Sequence, residues 1–306
     1  MTNATRIEPF RLKPWFSERV WGRQNLKPWY AETGTSERVG EAWLTGPQCV
    51  VETGLFEGET LAEVGAELGA EFPLLVKILF PEEKLSVQVH PDDVQARALG
   101  ETRGKTECWY VLEAVPGATV ALGLKDGVGP KELAASVEKG NMESLMQHVP
   151  VAVGDMLFVD AGTVHAIGPG VVLLETQQTS DVTYRLYDYG RPRELHLEKG
   201  LQVMRSKTAA GKIAPKKMDG FTRLIEQQYF VVDRFDVGAG EVTLTLDGAG
   251  CLVGLTGSGV LRCGEEELEL KAAQAVVVPV GSGPLLVSGT GLSFVRCEAP
   301  TGAAAL

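Results

Sequence analysis

The sequence predicts a mainly β protein, made of two antiparallel β-sandwich or barrel units with a small helical insertion in the first unit. Short apolar or alternating runs, such as LSVQVH (85–90) and GDMLFVDAG (154–162), recur between Gly, Pro and Asp turns. The chain has 306 residues, of which 44% are hydrophobic, so it can bury one large core or two ordinary ones. Together these observations favour packed antiparallel strands.

Two consecutive segments interrupt the strand pattern in the first unit. In PKELAASVEKG (130–140) and NMESLMQHV (141–149) the apolar residues fall at helical spacing. Pro130 stands at the start of the first segment, where proline is compatible with a helix. We therefore expect a helical insertion around residues 130–148.

A basic stretch of small residues, RSKTAAGKIAPKKMDG (205–220), is typical of a linker. We place the domain boundary there, with a first unit over residues 1–216 and a second over residues 217–306. Strand-like runs resume beyond the stretch, so the second unit is also expected to be all-β. All four histidines lie at or before position 196, so only the first unit can build an imidazole-based metal site.

Composition limits the partners and the compartment. A formal net charge of −11 repels polyphosphate, which makes nucleic acid a poor partner. The five cysteines are scattered without a C-x-x-C pair and are expected to be reduced. No apolar run approaches the roughly 18 residues of a membrane span, and the first residues do not resemble a signal peptide. We expect a cytoplasmic protein with a small-molecule substrate; the sequence leaves the oligomeric state open.

Three polar residues share one face of the strand LSVQVH, because Ser86, Gln88 and His90 alternate along it. An unpaired polar group inside a sandwich costs about 1–3 kcal/mol, so a polar inward face indicates a lined cavity. The alternative is an edge strand whose polar face is simply in water.

Two further residues could complete a metal site. Glu107 begins the aromatic strand ECWYVL, and His165 ends the pattern G-x5-D-A-G-x2-H, which starts at Gly154 and resembles the second motif of the cupin barrels. Taken alone, each residue also has a structural explanation. Together with His90, and with Gln88 as a candidate fourth ligand, they form a set suited to zinc, iron, manganese or cobalt that leaves positions open for substrate. For the remaining histidines, His148 and His196, we expect structural roles.

Several motifs in order resemble the type I mannose-6-phosphate isomerases, in particular their short bacterial branch within the cupin superfamily. They are KLSVQVHPDD, GKTECWYVL and AGTVHAIGPGVVLLETQQTSDVTYRLYDYGR, supported by FSERVWG and GEAWLTGP nearer the start. The resemblance covers residues from about 10 to 200. Beyond residue 217 the match is loose, so the second unit resembles a degenerate cupin-like domain without a metal site.

The resemblance implies a role for each matching residue. It makes His90, Glu107 and His165 the ligands of one divalent ion per chain, zinc in the first place, and Gln88 matches a further ligand of the longer eukaryotic members. Arg185 falls on the family's active-site arginine. The residues that match the lining of the sugar-phosphate pocket are Lys105, Ser86 and Glu175. One position departs from the pattern: Ile167 stands where the longer members have a tyrosine.

The implied reaction interconverts mannose 6-phosphate and fructose 6-phosphate through a cis-enediolate. A divalent metal can stabilise the developing oxygen charge, and Arg185 and Lys105 can bind the anionic substrate. Glu175, Lys105 and a metal-bound water are all candidates for the acid/base; we favour Glu175, whose alternative role is to orient His165 or Arg185.

Two other functions are compatible with the same residues. A site of two histidines and one carboxylate is also used by iron-dependent cupin oxygenases, which need no phosphate clamp. A non-catalytic sugar-phosphate sensor on the same barrel would bind ligand without turnover. Metal-dependent activity without oxygen consumption would argue against both.

Overall fold

The computed structural model describes residues 7–300, in which strands dominate and form three antiparallel sheets. In chain order the strands are β1 (Phe10–Lys13), β2 (Trp15–Arg23), β3 (Val39–Trp43), β4 (Val50–Val51), β5 (Leu74–Leu79), β6 (Val87–Val89), β7 (Glu107–Ala114), β8 (Thr119–Leu124), β9 (Met146–Pro150), β10 (Met156–Val159), β11 (His165–Ile167), β12 (Val171–Gln178), β13 (Tyr184–Tyr187), β14 (Gly211–Ile213), β15 (Lys216–Lys217), β16 (Thr222–Glu226), β17 (Val231–Gly238), β18 (Glu241–Leu244), β19 (Gly250–Cys263), β20 (Glu266–Lys271), β21 (Ala275–Val278) and β22 (Leu285–Glu298).

The helices are short and lie between strands. They are α1 (Leu61–Leu68), α2 (Asp93–Ala98), α3 (Pro130–Lys139), α4 (Leu197–Val203) and a 3-10 turn (Met142–Leu145). Helix α3 has Pro130 in its first turn and ends at Gly140, whose φ of 63° is the left-handed conformation typical of a helix end. Helix α2 begins directly after the strand that leads to His90, where Asp92 caps it. Helix α3 and the 3-10 turn confirm the predicted helical insertion, although the chain continues as strand β9 from Met146.

The seven-stranded sheet is the middle layer of the molecule, with the order β14-β10-β7-β12-β5-β3-β2. Its central strands β5 and β12 are buried along their whole length, which explains the continuous run LLVKIL. One face of this sheet packs on the ten-stranded sheet through a core that includes Val76, Val172, Val253 and Val295. The other face is turned toward the five-stranded sheet.

The five-stranded sheet has the order β13-β6-β11-β8-β9 and encloses the candidate site against the middle layer. Leu173 of the middle sheet and Val120 and Ile167 of the five-stranded sheet share one apolar cluster beside the site. Helices α3 and α4 cover the outer face of the five-stranded sheet, where Leu133 and Val203 join its buried residues. The site thus lies between two sheets whose other faces are both packed.

The ten-stranded sheet combines both ends of the described chain. Its main order is β15-β16-β17-β22-β19-β21-β1-β4, and β18 and β20 pair with β22 and β19. Strand β1 is antiparallel to β21, with Phe10 opposite Val277, so strands from both ends of the described chain lie side by side. Strand β14 pairs with β10 of the middle sheet, whereas β15 pairs with β16 of the ten-stranded sheet. The division into residues 1–216 and 217–306 stays a prediction. Within residues 7–300, no helix has the length and apolar character that crossing a membrane requires.

Candidate metal centre

Gln88 of strand β6 lies between the candidate metal ligand His165 and the candidate substrate-binding residue Arg185. Gln88 lies directly opposite His165 of β11 on one side and opposite Arg185 of β13 on the other. Cross-strand partners point to the same face of a sheet, so these three side chains form one polar row. Ser86, two residues earlier on the same face, donates its hydroxyl to Gln88 Oε1 at 3.3 Å. The alternation expected from LSVQVH is therefore what the strand shows.

A second polar row faces the first from the middle sheet. Glu175 of β12 lies opposite Lys77 of β5 and opposite Trp109 of β7. Glu107 begins β7 two residues before Trp109, on the same face, and accepts a hydrogen bond from the Trp109 indole at 3.1 Å. The two rows meet at His90, which directly follows β6, and Glu107, which begins β7.

His90, Glu107 and His165 converge there into a compact cluster of donors. One ligand atom from each lies within 4.8 Å of the others, and all three residues are buried. Nε2 of His90 is 3.7 Å from Glu107 Oε2, and Nε2 of His165 is 3.4 Å from Glu107 Oε1. The structure thus brings together the three residues that the sequence predicts as metal ligands.

Both histidines are held in the form that can bind a metal. Nδ1 of His90 donates to the carbonyl of Val182 at 2.7 Å, and Nδ1 of His165 donates to the carbonyl of Thr163 at 2.9 Å. Because a carbonyl only accepts, Nδ1 carries the proton and Nε2 carries the lone pair that can bind a metal. Burial lowers the pKa of His90 well below its usual value and that of His165 to about 4, with the positive charge of Lys105 acting in the same direction. Both rings are therefore neutral at physiological pH.

Lys105 links the metal cluster to Glu175. Its Nζ is 3.0 Å from Glu107 Oε2 and 3.3 Å from Glu175 Oε1, and all three side chains are at most 5% exposed. Burial by itself would lower the pKa of Lys105, but the two carboxylates outweigh it and raise that pKa. Burial, and then the charge of Glu107, raise the pKa of Glu175 to about 7. The result is one buried cation between two buried carboxylates.

A cavity of about 480 Å³ opens above this cluster. Ser86, Gln88, Lys105, Glu107, Glu175 and Arg185 all line it, as does Ile167 at the position where a tyrosine is expected. Arg185 is half-buried, and its Nη1 donates to the carbonyl of Glu194 at 2.8 Å. His148 and His196 do not line the cavity. His196 instead accepts the backbone N–H of Arg185 at 3.2 Å, a structural role.

Several residues that line the cavity were not predicted from the sequence, and three of them are positively charged. Lys77 is 2% exposed, pairs with Asp181 at 3.0 Å and lies 4.3 Å from the ring centre of Trp43. The sequence did contain a signal for Lys77, because it is the only charged residue in the apolar run LLVKILF. Arg19 and Arg193 also line the cavity, and nothing in the pattern of their own segments distinguishes them from surface arginines.

Comparisons with known proteins agree with this architecture. The family model described as phosphomannose isomerase type I, catalytic domain, matches residues 10–108. The mannose-6-phosphate isomerase ManA of Bacillus subtilis (strain 168) is 36% identical over 307 residues, which cover 92% of this chain and 96% of that protein.

Solved structures extend the likeness to the whole fold. A crystal structure of the mannose 6-phosphate isomerase from Bacillus subtilis matches with a TM-score of 0.85 and 32% identity, over 95% of this chain and 99% of that one. A structure described as mannose 6-phosphate isomerase bound with zinc and yttrium matches with a TM-score of 0.75 over 96% of this chain and 100% of that one; at 17% identity it supports the fold alone. The predicted mainly β, cupin-like fold is confirmed.

Proposed function

The chain belongs to the type I phosphomannose isomerases, and from this membership we propose that it interconverts mannose 6-phosphate and fructose 6-phosphate in the cavity above His90, Glu107 and His165. The observation that carries the proposal is the convergence of these three buried donors beneath a cavity that also contains Lys105 and Arg185. The enzyme is thus an intramolecular aldose-ketose isomerase.

The donor cluster suits one divalent metal ion, and zinc is the ion that we assign to it. Two imidazole nitrogens and one carboxylate are a donor set of catalytic zinc sites, which use three protein ligands and leave a position open. His90 Nε2 is buried and has no hydrogen-bond partner among residues 7–300. Such an unpaired buried nitrogen costs about 1–3 kcal/mol, and a bound cation would remove that cost. When bound, the ion polarises the substrate carbonyl as a Lewis acid.

We assign the proton transfer to Glu175. Removal of the C2 proton from mannose 6-phosphate gives an enediolate, and return of a proton to C1 gives fructose 6-phosphate. The group that moves this proton must both accept and release it near neutral pH. Glu175 lines the cavity, and burial raises its pKa to about 7, which suits both steps.

Lys105 and Arg185 hold the negative charge of the substrate. Lys105 stays protonated between Glu107 and Glu175, so it can donate to a substrate oxygen that becomes negative when the C2 proton leaves. Arg185 offers a planar guanidinium to the same cavity, and Ser86 adds a hydroxyl beside Gln88. These groups account for the binding of an anion by a chain of net charge −11.

The oxygenase and sensor hypotheses are not favoured. The similar proteins are isomerases by name, and a phosphate clamp has no purpose in the oxygenase reaction. A sensor would not require a buried acid/base next to the metal ligands.

We place the reaction in the cytoplasm and expect neither a nucleic acid nor a membrane as partner. All five cysteines are buried and none forms a disulfide, which suits a reducing compartment. The acidic net charge opposes binding to nucleic acids and to anionic lipid surfaces. The function is tested by following the formation of fructose 6-phosphate from mannose 6-phosphate, with the metal removed and then restored.

A further inference from the structure

The cavity has a buried end and a more exposed end. At the buried end the side chain of Glu107 is 1% exposed, whereas the side chains of Arg19 and Arg193 are 30% and 22% exposed. A substrate with its carbonyl at the buried end therefore directs its other end toward these arginines.

Most charges that line the cavity already have a partner of opposite sign. Arg19 is 3.1 Å from Glu41 and is neutralised by it. Asp181 is 3.0 Å from Lys77, which neutralises that pair as well. Neither pair leaves a net positive charge for a ligand.

Arg193 is different because its carboxylate is shared. Asp188, whose side chain is 1% exposed, accepts from Arg193 Nε at 2.6 Å and from Arg193 Nη2 at 2.7 Å. The same carboxylate also pairs with Arg191 at 2.8 Å. Two arginines on one carboxylate leave a net charge of about +1, and the two-point contact fixes the guanidinium of Arg193 while Nη1 stays available.

Arg185 adds a second available donor to the same part of the cavity. Its Nε is buried and has no hydrogen-bond partner in the described part of the chain. Burial, and next the positive charge of Arg193, lower the pKa of Arg185, so the two guanidinium groups repel one another across the cavity. An anion between them would relieve this repulsion.

We propose that Arg193, held in place by Asp188, binds the phosphate group of the substrate together with Arg185, and so selects phosphorylated sugars. This proposal rests on the proposed isomerase function. A phosphate monoester carries a charge of about −1.5 to −2 at neutral pH and accepts paired N–H donors from arginine. Phosphate at Arg193 leaves the carbonyl end of the sugar free to reach His90, Glu107 and His165.

The chain supplies a matched control in Arg191. Arg191 pairs with the same Asp188, but it does not line the cavity; its guanidinium lies 5.5 Å from the ring centre of Tyr189 and donates to the carbonyl of Lys84 at 2.8 Å. Removal of either arginine leaves Asp188 with one cation. If phosphate binding is lost when Arg193 is replaced and kept when Arg191 is replaced, the loss therefore reflects a contact with the ligand rather than a change at Asp188.

The test compares Arg193→Ala, Arg193→Lys and Arg191→Ala in the metal-loaded full chain. We would measure kcat and KM for mannose 6-phosphate and the inhibition constant of inorganic phosphate. Loss of a charge-assisted hydrogen-bond pair predicts a rise of about 10- to 100-fold in KM and in the phosphate inhibition constant for Arg193→Ala, with a smaller change in kcat. Arg193→Lys should lie between Arg193→Ala and the wild type, and Arg191→Ala should stay near the wild type.

The proposal is overturned if Arg193→Ala keeps the wild-type KM and phosphate inhibition constant. It is also overturned if Arg191→Ala raises both constants as much as Arg193→Ala does. If Arg193→Ala does not fold, Arg193→Lys alone decides the question, because it keeps the charge and loses the planar fork. A wild type without isomerase activity would refute the proposed function instead. Calorimetric titration of inorganic phosphate into the wild type and Arg193→Ala would then still test the subsite, and equal binding would refute it.

Discussion

Gln88 and His165 are direct cross-strand partners, and the side-chain amide nitrogen of Gln88 approaches His165 Nε2 at 3.2 Å. Because His165 Nδ1 donates to Thr163, Nε2 carries the lone pair and the Gln88 amide donates to it. A metal ion on His165 would take that lone pair. Gln88 then has its amide free to act beside the ion, as a further ligand or as a group that orients the others.

Replacement of Gln88 by Ala should weaken zinc binding by about 10- to 100-fold, the usual effect of losing a group that supports metal ligands. The affinity is measured by competition with a chromogenic chelator. Gln147→Ala is the control, since Gln147 donates to the carbonyl of Leu124 on another strand and does not line the cavity. Equal zinc affinity in both variants would remove Gln88 from the metal site.

Replacement of Glu175 by Gln should lower kcat by about 10²- to 10⁴-fold, because the amide cannot accept the substrate proton. Glu113→Gln is the control: Glu113 lies on β7 as an acid with 40% side-chain exposure, paired with Arg23 away from the cavity. Full activity of Glu175→Gln would move the acid/base role to another group.

The pH dependence of the wild type tests the same assignment. The base must be ionised, and burial raises the pKa of Glu175 to about 7, so kcat should fall as the pH drops through that value. The pKa values of His90 and His165 are lowered, so these two metal ligands stay neutral over the same range. Saturating substrate restricts the profile to groups in the enzyme–substrate complex. A kcat that stays constant well below pH 7 would contradict the role of Glu175.

Tyr229, between β16 and β17, contacts the loop that carries Lys105. Its hydroxyl donates to Asp93 at 2.9 Å, and Asp93 in turn accepts the backbone N–H of Gly104 at 2.8 Å. Loss of this hydrogen bond in Tyr229→Phe should lower kcat by about 2- to 10-fold with little change in KM. Tyr110→Phe is the control, because it also removes a tyrosine hydrogen bond, the one that Arg234 donates, which does not involve the loop. The same kcat loss in both variants would indicate a general structural effect.

Asp233 of β17 is a buried charge shared by two arginines. It is 0% exposed, and it pairs with Arg223 at 2.6 Å and with Arg296. Asp233→Ala should lower the free energy of unfolding by about 1.5–3 kcal/mol, because it removes the buried carboxylate that Arg223 and Arg296 share and leaves each with one more exposed acidic partner. Asp236→Ala, which removes a 54% exposed partner of Arg234, should cost less than about 1 kcal/mol in the same urea titration. Similar losses in the two variants would contradict this account.

The sequence predicts much of the fold and of the candidate site because the signals are local. Strand alternation places Gln88 and His90 on one face, and the turn before His165 positions it beside them. The pairing of β1 with β21 could not be predicted, because it joins residues more than 260 positions apart. Such a register depends on the packing of whole sheets.

Lys77 and Arg193 show two different reasons for a missed residue. Lys77 carried a signal, a single charge in an apolar strand, but the strand alone does not say that its charged face meets a cavity. The sequence contains no signal that singles out Arg193, because Arg191, two residues earlier, has the same charge and the same carboxylate partner. Only the course of the loop after β13 determines which of the two faces the substrate.

The central claim is that the cluster of His90, Glu107 and His165 holds the metal on which isomerisation depends. The most direct test is to strip the purified protein with a chelator and to measure conversion of mannose 6-phosphate to fructose 6-phosphate before and after zinc, manganese or cobalt is restored, with His165→Ala alongside. We predict that activity disappears on chelation, returns with metal and is absent in the variant at every metal concentration used for the wild type. Undiminished turnover by the stripped protein, or by His165→Ala, would contradict the account.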